Sequence, residues 1–411
     1  MIVAITMITA PAYAQHNADS INCPVKDIGD LLRKDTMANS KPPKNYYLFG
    51  APVIGSSPAT GFIIGLAGQI TFKGKNPLDK YSVVNANFQY TTKNQILFQV
   101  KNNLLLAQNK LILSGDMRIF IYSQPTYGLG TDALNAESTG NGIIIGNESV
   151  EPDSIAENMF YNYYKLHQLA AYNIKGIFYL GAGLNFDIYQ KISVDYPLLS
   201  GKDTSFHTAY SLLHGYDSTN YALNGISAHA IIDTRDNQIN ATKGIYMNLS
   251  YQFEPNFSKQ QKSSSVFSAE LRYFKTVNVM HKHHTIAWWA MGTFTTSALP
   301  YLSLPALGWD QRSRSGRGYA QGTFRGQNFV YGEIEYRFPI TCNEVLGGVL
   351  FINGTTASDK DREVKLFRFI QPAFGIGLRI NMDKASRTNL VLDYGIGKKS
   401  NGFYLNAGET Y

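Results

Sequence analysis

SGRGYAQGTFRGQNFVYGEIEYRFPI, Ser315 to Ile340, starts as a polar run rich in glycine and arginine and becomes a strict alternation. Glu333, Glu335 and Arg337 fall on one face of the second half, and Val330, Ile334, Tyr336 and Phe338 on the other. A period of two is that of a strand with one wet and one apolar side. Charges on the lipid-facing side of a membrane strand cost about 2–4 kcal/mol for Arg or Lys at mid-depth, so in a membrane barrel this row would face the lumen.

The same period recurs on both sides of that stretch. VVNANFQY puts Val84, Ala86, Phe88 and Tyr90 opposite Asn85, Asn87 and Gln89. IFYLGAGLNFDIYQ, GISAHAIIDT, IYMNLSYQFE, VFSAELRYFK, FIQPAFGIGLRI, NLVLDYGIG and FYLNAGETY repeat it. No helical stripe is expected downstream of about residue 45.

Counting segments predicts an all-β fold, a 16-stranded antiparallel transmembrane β-barrel over residues 46–411, the even number expected of a bacterial outer-membrane barrel. Predicted strands are 46–55, 61–73, 81–91, 94–105, 110–123, 160–173, 176–190, 221–234, 244–255, 265–278, 284–296, 327–340, 345–356, 367–381, 388–396 and 401–411. If the first strand rises from the periplasm, the long connections 124–159, 191–220 and 297–326 all fall outside the cell. The turns at NIKG, TRDNQINATKG, HKHH and TCNE fall inside, the loop asymmetry of such barrels.

Composition agrees. The chain has 27 tyrosines, 23 phenylalanines and 36 glycines in 411 residues. The mean hydropathy of −0.18 fits alternating strands as well as a soluble protein. Past the first fourteen residues there is no run of eighteen apolar residues for a spanning helix. The net charge of +7 is dispersed, which fits a polar lumen or contact with anionic lipid and gives no basic patch for nucleic acid.

MIVAITMITAPAYAQ ends its apolar run in Ala12-Tyr13-Ala14, so residues 1–14 read as a signal peptide cut before Gln15. Residues 15–45 form a periplasmic segment, too short for an independent domain. Within it DIGDLLRK, from Asp27, predicts a short N-terminal helix, ended by PPKN.

Position identifies the opening stretch as the sixth outer loop and strand twelve. Arg317-Gly318-Tyr319 in that loop, DTRDN…KG (Asp233 to Gly244), GEIEYRFP (Gly332 to Pro339), LDYG (Leu392 to Gly395) and the final Tyr411, in this order, resemble the BamA/TamA-like superfamily of outer-membrane insertases and translocases. The resemblance covers nearly the whole mature chain. Two departures stand out: the thirty or so residues before the barrel cannot hold a POTRA domain, and Asn353 replaces the aspartate the family carries on strand thirteen.

The resemblance implies that loop six folds back into the lumen. There Arg317 would bridge Glu335 or Asp393, Asn353 would accept a further hydrogen bond, and Glu333, Arg337 and Arg379 would complete the charged wall. Pro52 in strand one donates no ladder bond, so a weak lateral seam is expected between strands one and sixteen, with Phe403 and Tyr411 on the far side. Cys23 and Cys342, both periplasmic, are expected to form a disulfide that holds the helix as a plug beneath the barrel.

The implied function is movement or insertion of polypeptide or lipid at the cell outer membrane. The alternatives are a plugged passive pore and a structural surface barrel with no client. Expected partners are outer-membrane lipid including lipopolysaccharide, periplasmic or outer-membrane proteins, and the barrel assembly machinery, whose client this chain would be. No cofactor is expected. His281, His283 and His284 in MHKHH lack a nearby carboxylate and read as a solvated turn, and no catalytic motif is present, so an enzyme is not expected.

Overall fold

Sixteen consecutive antiparallel strands form one sheet that curls into a nearly closed barrel, seen in a computed structural model. It describes residues 23–32, 45–57, 61–76, 78–132, 142–145, 148–151, 156–195, 204–255, 263–279, 282–297 and 299–411. The expected signal peptide, residues 1–14, lies outside these, as do His281 and most of the 15–45 segment.

The wall strands, numbered in barrel order, are β1 (Tyr46–Ser57), β2 (Gly61–Phe72), β3 (Ser82–Thr91), β4 (Ile96–Leu106), β5 (Leu111–Thr126), β6 (Glu157–Lys175), β7 (Phe178–Asp195) and β8 (Tyr221–Asp233). They continue as β9 (Gly244–Glu254), β10 (Ser264–Val279), β11 (Lys282–Thr295), β12 (Asn328–Pro339), β13 (Leu346–Ala357), β14 (Gln371–Asp383), β15 (Thr388–Gly397) and β16 (Ser400–Ala407).

The alternation that defined the strands sorts the two faces. Leu48, Leu66, Phe88, Leu184, Trp288, Ile352, Phe374 and Phe403 are exposed on the outer wall, a belt suited to lipid. Asp116, Arg118, Arg272, Glu333, Glu335 and Arg379 are buried inside. No described helix is long and apolar enough to cross a membrane.

Two differences from the sequence expectation have clear causes. A helix, α2 (Phe206–His214), does form downstream of residue 45, within an outer loop. Ser205 caps it by accepting from the Thr208 N–H, and Gly215 ends it in the left-handed conformation at φ 73°. Its Phe206 and Tyr210 pack with Tyr301 and Leu302 of loop six and with Tyr161 of β6 into an apolar cap.

The last strand is shorter than expected and stops at Ala407. Gly408 adopts φ 77° and turns the chain inward, so Glu409 and Tyr411 are buried rather than in the wall. Continued alternation would have put Glu409 on the same outer face as Phe403, in lipid, where a carboxylate is unfavourable.

Near the N-terminus, helix α1 (Ile28–Leu32) lies against β14, and its segment touches the β12–β13 and β14–β15 turns. The Lys26 N–H donates to the Asn343 carbonyl at 2.9 Å, Lys384 Nζ meets Asp30 at 2.7 Å, and Cys23 is bonded to Cys342. Leu31 is exposed, and none of the described residues of this segment lines the two lumen cavities.

Candidate functional site

Arg317 is the hub of the lumen. Loop six, residues 296–327, bends down inside the barrel and leaves its guanidinium 3% exposed. Nη2 donates to Glu333 Oε1 at 2.6 Å and Nε to Glu333 Oε2 at 3.2 Å, a two-pronged contact. Nη1 donates to Asp393 Oδ2 at 2.6 Å, and Nη2 also reaches Glu335. The Phe351 ring lies under the guanidinium, 3.6 Å from its carbon, a cation–π contact.

Strand periodicity explains the convergence. Glu333, Glu335 and Arg337 share the inner face of β12, Phe351 and Asn353 that of β13, and Asp393 that of β15, with Glu333 paired to Asn353 and Glu335 to Phe351 in register. Arg337 Nε donates to Glu335 Oε2 at 2.7 Å. Arg379 donates to Asp393 at 2.5 Å and to Glu409 at 2.7 Å. Three guanidiniums thus face four carboxylates, and Tyr331 OH (2.8 Å to Glu333) and Asn389 (2.7 Å to Glu409) donate to the remaining lone pairs. Buried charges need such partnering, and of these three guanidiniums only Arg379 has a nitrogen, Nη2, buried without a hydrogen bond.

Asn353 plays a different part from the one expected. Its Nδ2 donates to the Arg317 backbone carbonyl at 2.9 Å, with a longer contact of 3.4 Å to Glu333. The Arg317 side-chain hydrogen bonds go instead to carboxylates, stronger acceptors for a guanidinium than an amide oxygen.

Next to Arg317, Gly318 (φ 109°) presses on the wall; a Cβ there would stand 2.7 Å from Ala373 Cβ. The Gly318 N–H donates to Tyr404 OH of β16 at 2.9 Å, and Tyr319 OH donates to the Pro372 carbonyl at 2.8 Å. Arg314 Nη2 donates to the Ala407 carbonyl at 2.9 Å, and its Nη1 to the Gly408 and Glu409 carbonyls. On the other side, Lys101 of β4 donates to Ser313 at 3.0 Å and Gln311 to Ser114 of β5 at 2.6 Å.

Loop six therefore connects the C-terminal wall with β4 and β5 through the lumen. Between those anchors lies the gap in the sheet. Each wall strand pairs with its sequence neighbours, but β1 and β16 are the two ends of the strand order, with no ladder joining them among the described residues.

Hydrogen-bond phase shows which groups border the gap. The Lys73 N–H donates to Asn45 O in register with β1–β2, so odd residues of β1 bond to β2, and even ones turn their backbone groups to the free edge. Pro52 is even, exposed on the outer face, and lacks an N–H there. The Gly408 N–H donates to Asn389 O, so odd residues of β16, including Phe403 and Leu405, point their backbone groups into the gap. Tyr411, expected at this seam, is instead buried against β11, its ring 5.2 Å from Trp289 and its OH donating to the Ala287 carbonyl at 3.0 Å.

Sequence reasoning did not find Arg314, Phe351, Tyr404 or Glu409. Glu409 had a signal, its parity with Phe403 beyond a glycine; the others depend on where a long loop lands. His283 and His284 stay separate from this site, their Nδ1 atoms 2.8 Å from Asn278 and 2.6 Å from Tyr336 OH.

Comparison with known proteins gives this geometry a family. The chain is similar to BamA from Haemophilus ducreyi lacking POTRA domains 1–3, at 13% identity and TM-score 0.51, over 89% of this chain and 70% of that one. It is similar to CdiB from Acinetobacter baumannii (12%, TM-score 0.51, 86% of this chain and 56% of that one). CdiB from Escherichia coli matches at 12% and TM-score 0.53, over 90% of this chain and 63% of that one. Among curated proteins, no sequence matches. The Omp85 superfamily domain matches residues 144–411. This chain is an outer-membrane β-barrel and belongs to the Omp85 superfamily.

Proposed function

We propose that this barrel inserts or exports polypeptide or lipid through the seam between β1 and β16, with loop six as an internal strap that holds the weakened wall in register. The observation that carries the reading is the unpaired seam itself, with Pro52 on its free edge and loop six anchored on both sides of it. A client strand or an acyl chain entering the gap would find unpaired backbone groups on β1 and β16, and strand addition to such an edge is a general mode of recognition.

The Arg317 cluster fixes the strap to β12 and β15, so opening is confined to the seam while the remaining ladders stay intact. Partners implied by this reading are proteins that deliver the client, lipopolysaccharide around the outer belt, and the barrel assembly machinery that would insert this chain.

The test is an engineered cysteine pair bridging residues 48–54 of β1 and 401–407 of β16, oxidised in cells. Outer-membrane and secreted protein profiles are compared with those of a deletion strain. The proposal expects the sealed barrel to reproduce the deletion profile and a reductant to restore the wild type. Wild-type profiles with the seam sealed would refute it. Steady conductance of the purified wild type in planar bilayers would favour the passive pore instead.

A further inference from the structure

Between loop six and the wall of β2–β5 lies a second feature of the lumen, a cavity of about 300 Å³, which falls at the lower end of ligand-site volumes. Five cationic residues line it, Lys101, Arg235, Arg272, Arg312 and Arg314, against two acids, Asp233 and Glu409. Both acids are already committed. Asp233 holds Arg235 at 2.7 Å, and Glu409 holds Arg379 at 2.7 Å.

Arg312 is the anomaly. Among the described residues its guanidinium has no hydrogen bond and no ion pair, while its strongest electrostatic neighbours are the cations Arg272, Arg235 and Arg314, opposed by Glu270. Arg235 and Arg272 stand over the same Tyr246 ring, 4.5 and 4.9 Å from its centre. Arg235 is 2% exposed, and its Nη1 is buried without a partner. Gathering like charges in a partly desolvated site is unfavourable unless an anion completes it.

The rest of the lining is mostly neutral. Asn85, Asn87, Gln99 and Asn103 supply amide donors, and Glu270, which lies outside the lining, is already paired with Arg272. Clustered guanidinium forks and an ammonium, set around a small space, match the several oxygens of a tetrahedral oxyanion better than the two of a carboxylate.

We propose that this cavity binds a phosphate-bearing anion, with Arg312 as its principal donor and Arg235, Arg272 and Lys101 around it. Phe49 and Val53 of β1 and residues Leu405–Glu409 at the end of β16 also line the cavity, so it adjoins both sides of the seam. The same phosphate chemistry would serve a lipid headgroup entering from the bilayer or a soluble phosphate from the periplasm. Binding does not depend on whether the seam opens.

The experiment is calorimetric titration of the full chain in a neutral detergent, at constant ionic strength with chloride as the reference anion. One arm uses inorganic phosphate, the other short-chain phosphatidylglycerol with phosphatidylcholine as its control. The expected result is one saturable site in at least one arm, weakened tenfold or more by R312Q and unchanged by R387Q, a substitution in an exposed periplasmic turn. Saturation by phosphatidylglycerol alone identifies a lipid source, and saturation by phosphate identifies a soluble one. No saturable binding in either arm overturns the proposal, and the wild-type titration decides this by itself. Equal affinity in folded R312Q also overturns it.

Discussion

Arg314 Nη2 donates to the Ala407 carbonyl at 2.9 Å, and that carbonyl belongs to the edge of β16 that faces away from β15. A side chain of loop six thus occupies an acceptor that a paired neighbouring strand would use. The same guanidinium holds the Gly408 and Glu409 carbonyls, where the chain turns inward. Hydrogen bonds to a charged donor contribute about 1.5–3 kcal/mol each. Arg314→Met, which keeps the length and removes the donors, is expected to speed amide exchange at Asn406, Gly408 and Glu409, whose N–H groups are bonded, at least tenfold and leave β8 and β9 unchanged.

Removing Arg317 leaves Glu333, Glu335 and Asp393 buried around a missing charge. Arg317→Ala should destabilise the barrel by about 3–5 kcal/mol, and Arg317→Lys by less, because a point charge cannot reproduce the two-pronged contact. Denaturant unfolding in detergent, followed by the shift between folded and unfolded bands on gels, measures both. An unchanged midpoint for Arg317→Ala would contradict the assignment of Arg317 as the hub.

Gly395 meets Gly318 backbone to backbone. A Cβ on Gly395 would lie 2.6 Å from the Gly318 nitrogen and 2.9 Å from the Arg317 carbonyl carbon, so neither side has a flexible group to move. Gly395→Ala is expected to lift the loop tip off β15, at a cost of about 1–3 kcal/mol. Trypsin should then cleave after Arg314 or Arg317 in the folded barrel, where the wild type resists.

The wall was legible in the sequence because lipid on one side and a polar lumen on the other force a strict period of two. Strand starts and ends such as 221–233 and 244–254 follow almost directly from it. The charged face of β12 was legible for the same reason, and Asp393 by extension. What the pattern could not carry was the landing of loop six, since Lys101 and Ser313, and Gly318 and Tyr404, are brought together by a chain path with no period. The cap helix α2 escaped for a related reason: FHTAYSLLH is one short amphipathic turn sequence inside a long connection, recognisable mainly from Ser205 and Gly215 at its ends. Position 353 misled because side-chain type was read as acceptor, whereas the Arg317 carbonyl needed a donor.

His207 makes the outer cap sensitive to acid. It is 1% exposed on α2, its Nε2 has no hydrogen-bond partner, and its ring meets Tyr301 edge-on at 5.3 Å. Burial, reinforced by the nearby Arg325 guanidinium, pushes its pKa down to about 3 from the ordinary 6.5. The depressed value means the folded cap favours the neutral ring. Its contribution is therefore complete above pH 6.5 and is lost as pH falls toward 3. At pH 5 the cap should be weaker by about 2 kcal/mol. Amide exchange across Phe206 to His214, compared at pH 7.5 and pH 5 after correction for the intrinsic rate, should show the loss in the wild type. His207→Phe should remove it.

The central claim is that β1 and β16 face each other without a ladder and are held from inside by loop six. Residue-resolved amide exchange of the wild type in lipid nanodiscs tests it most directly. The account predicts fast exchange at Leu48, Gly50 and Ile54 of β1 and at Phe403 and Leu405 of β16, with the odd residues of β1 and the even residues of β16 protected like β8 and β9. Equal protection of both sets would show a paired, closed wall and contradict the account.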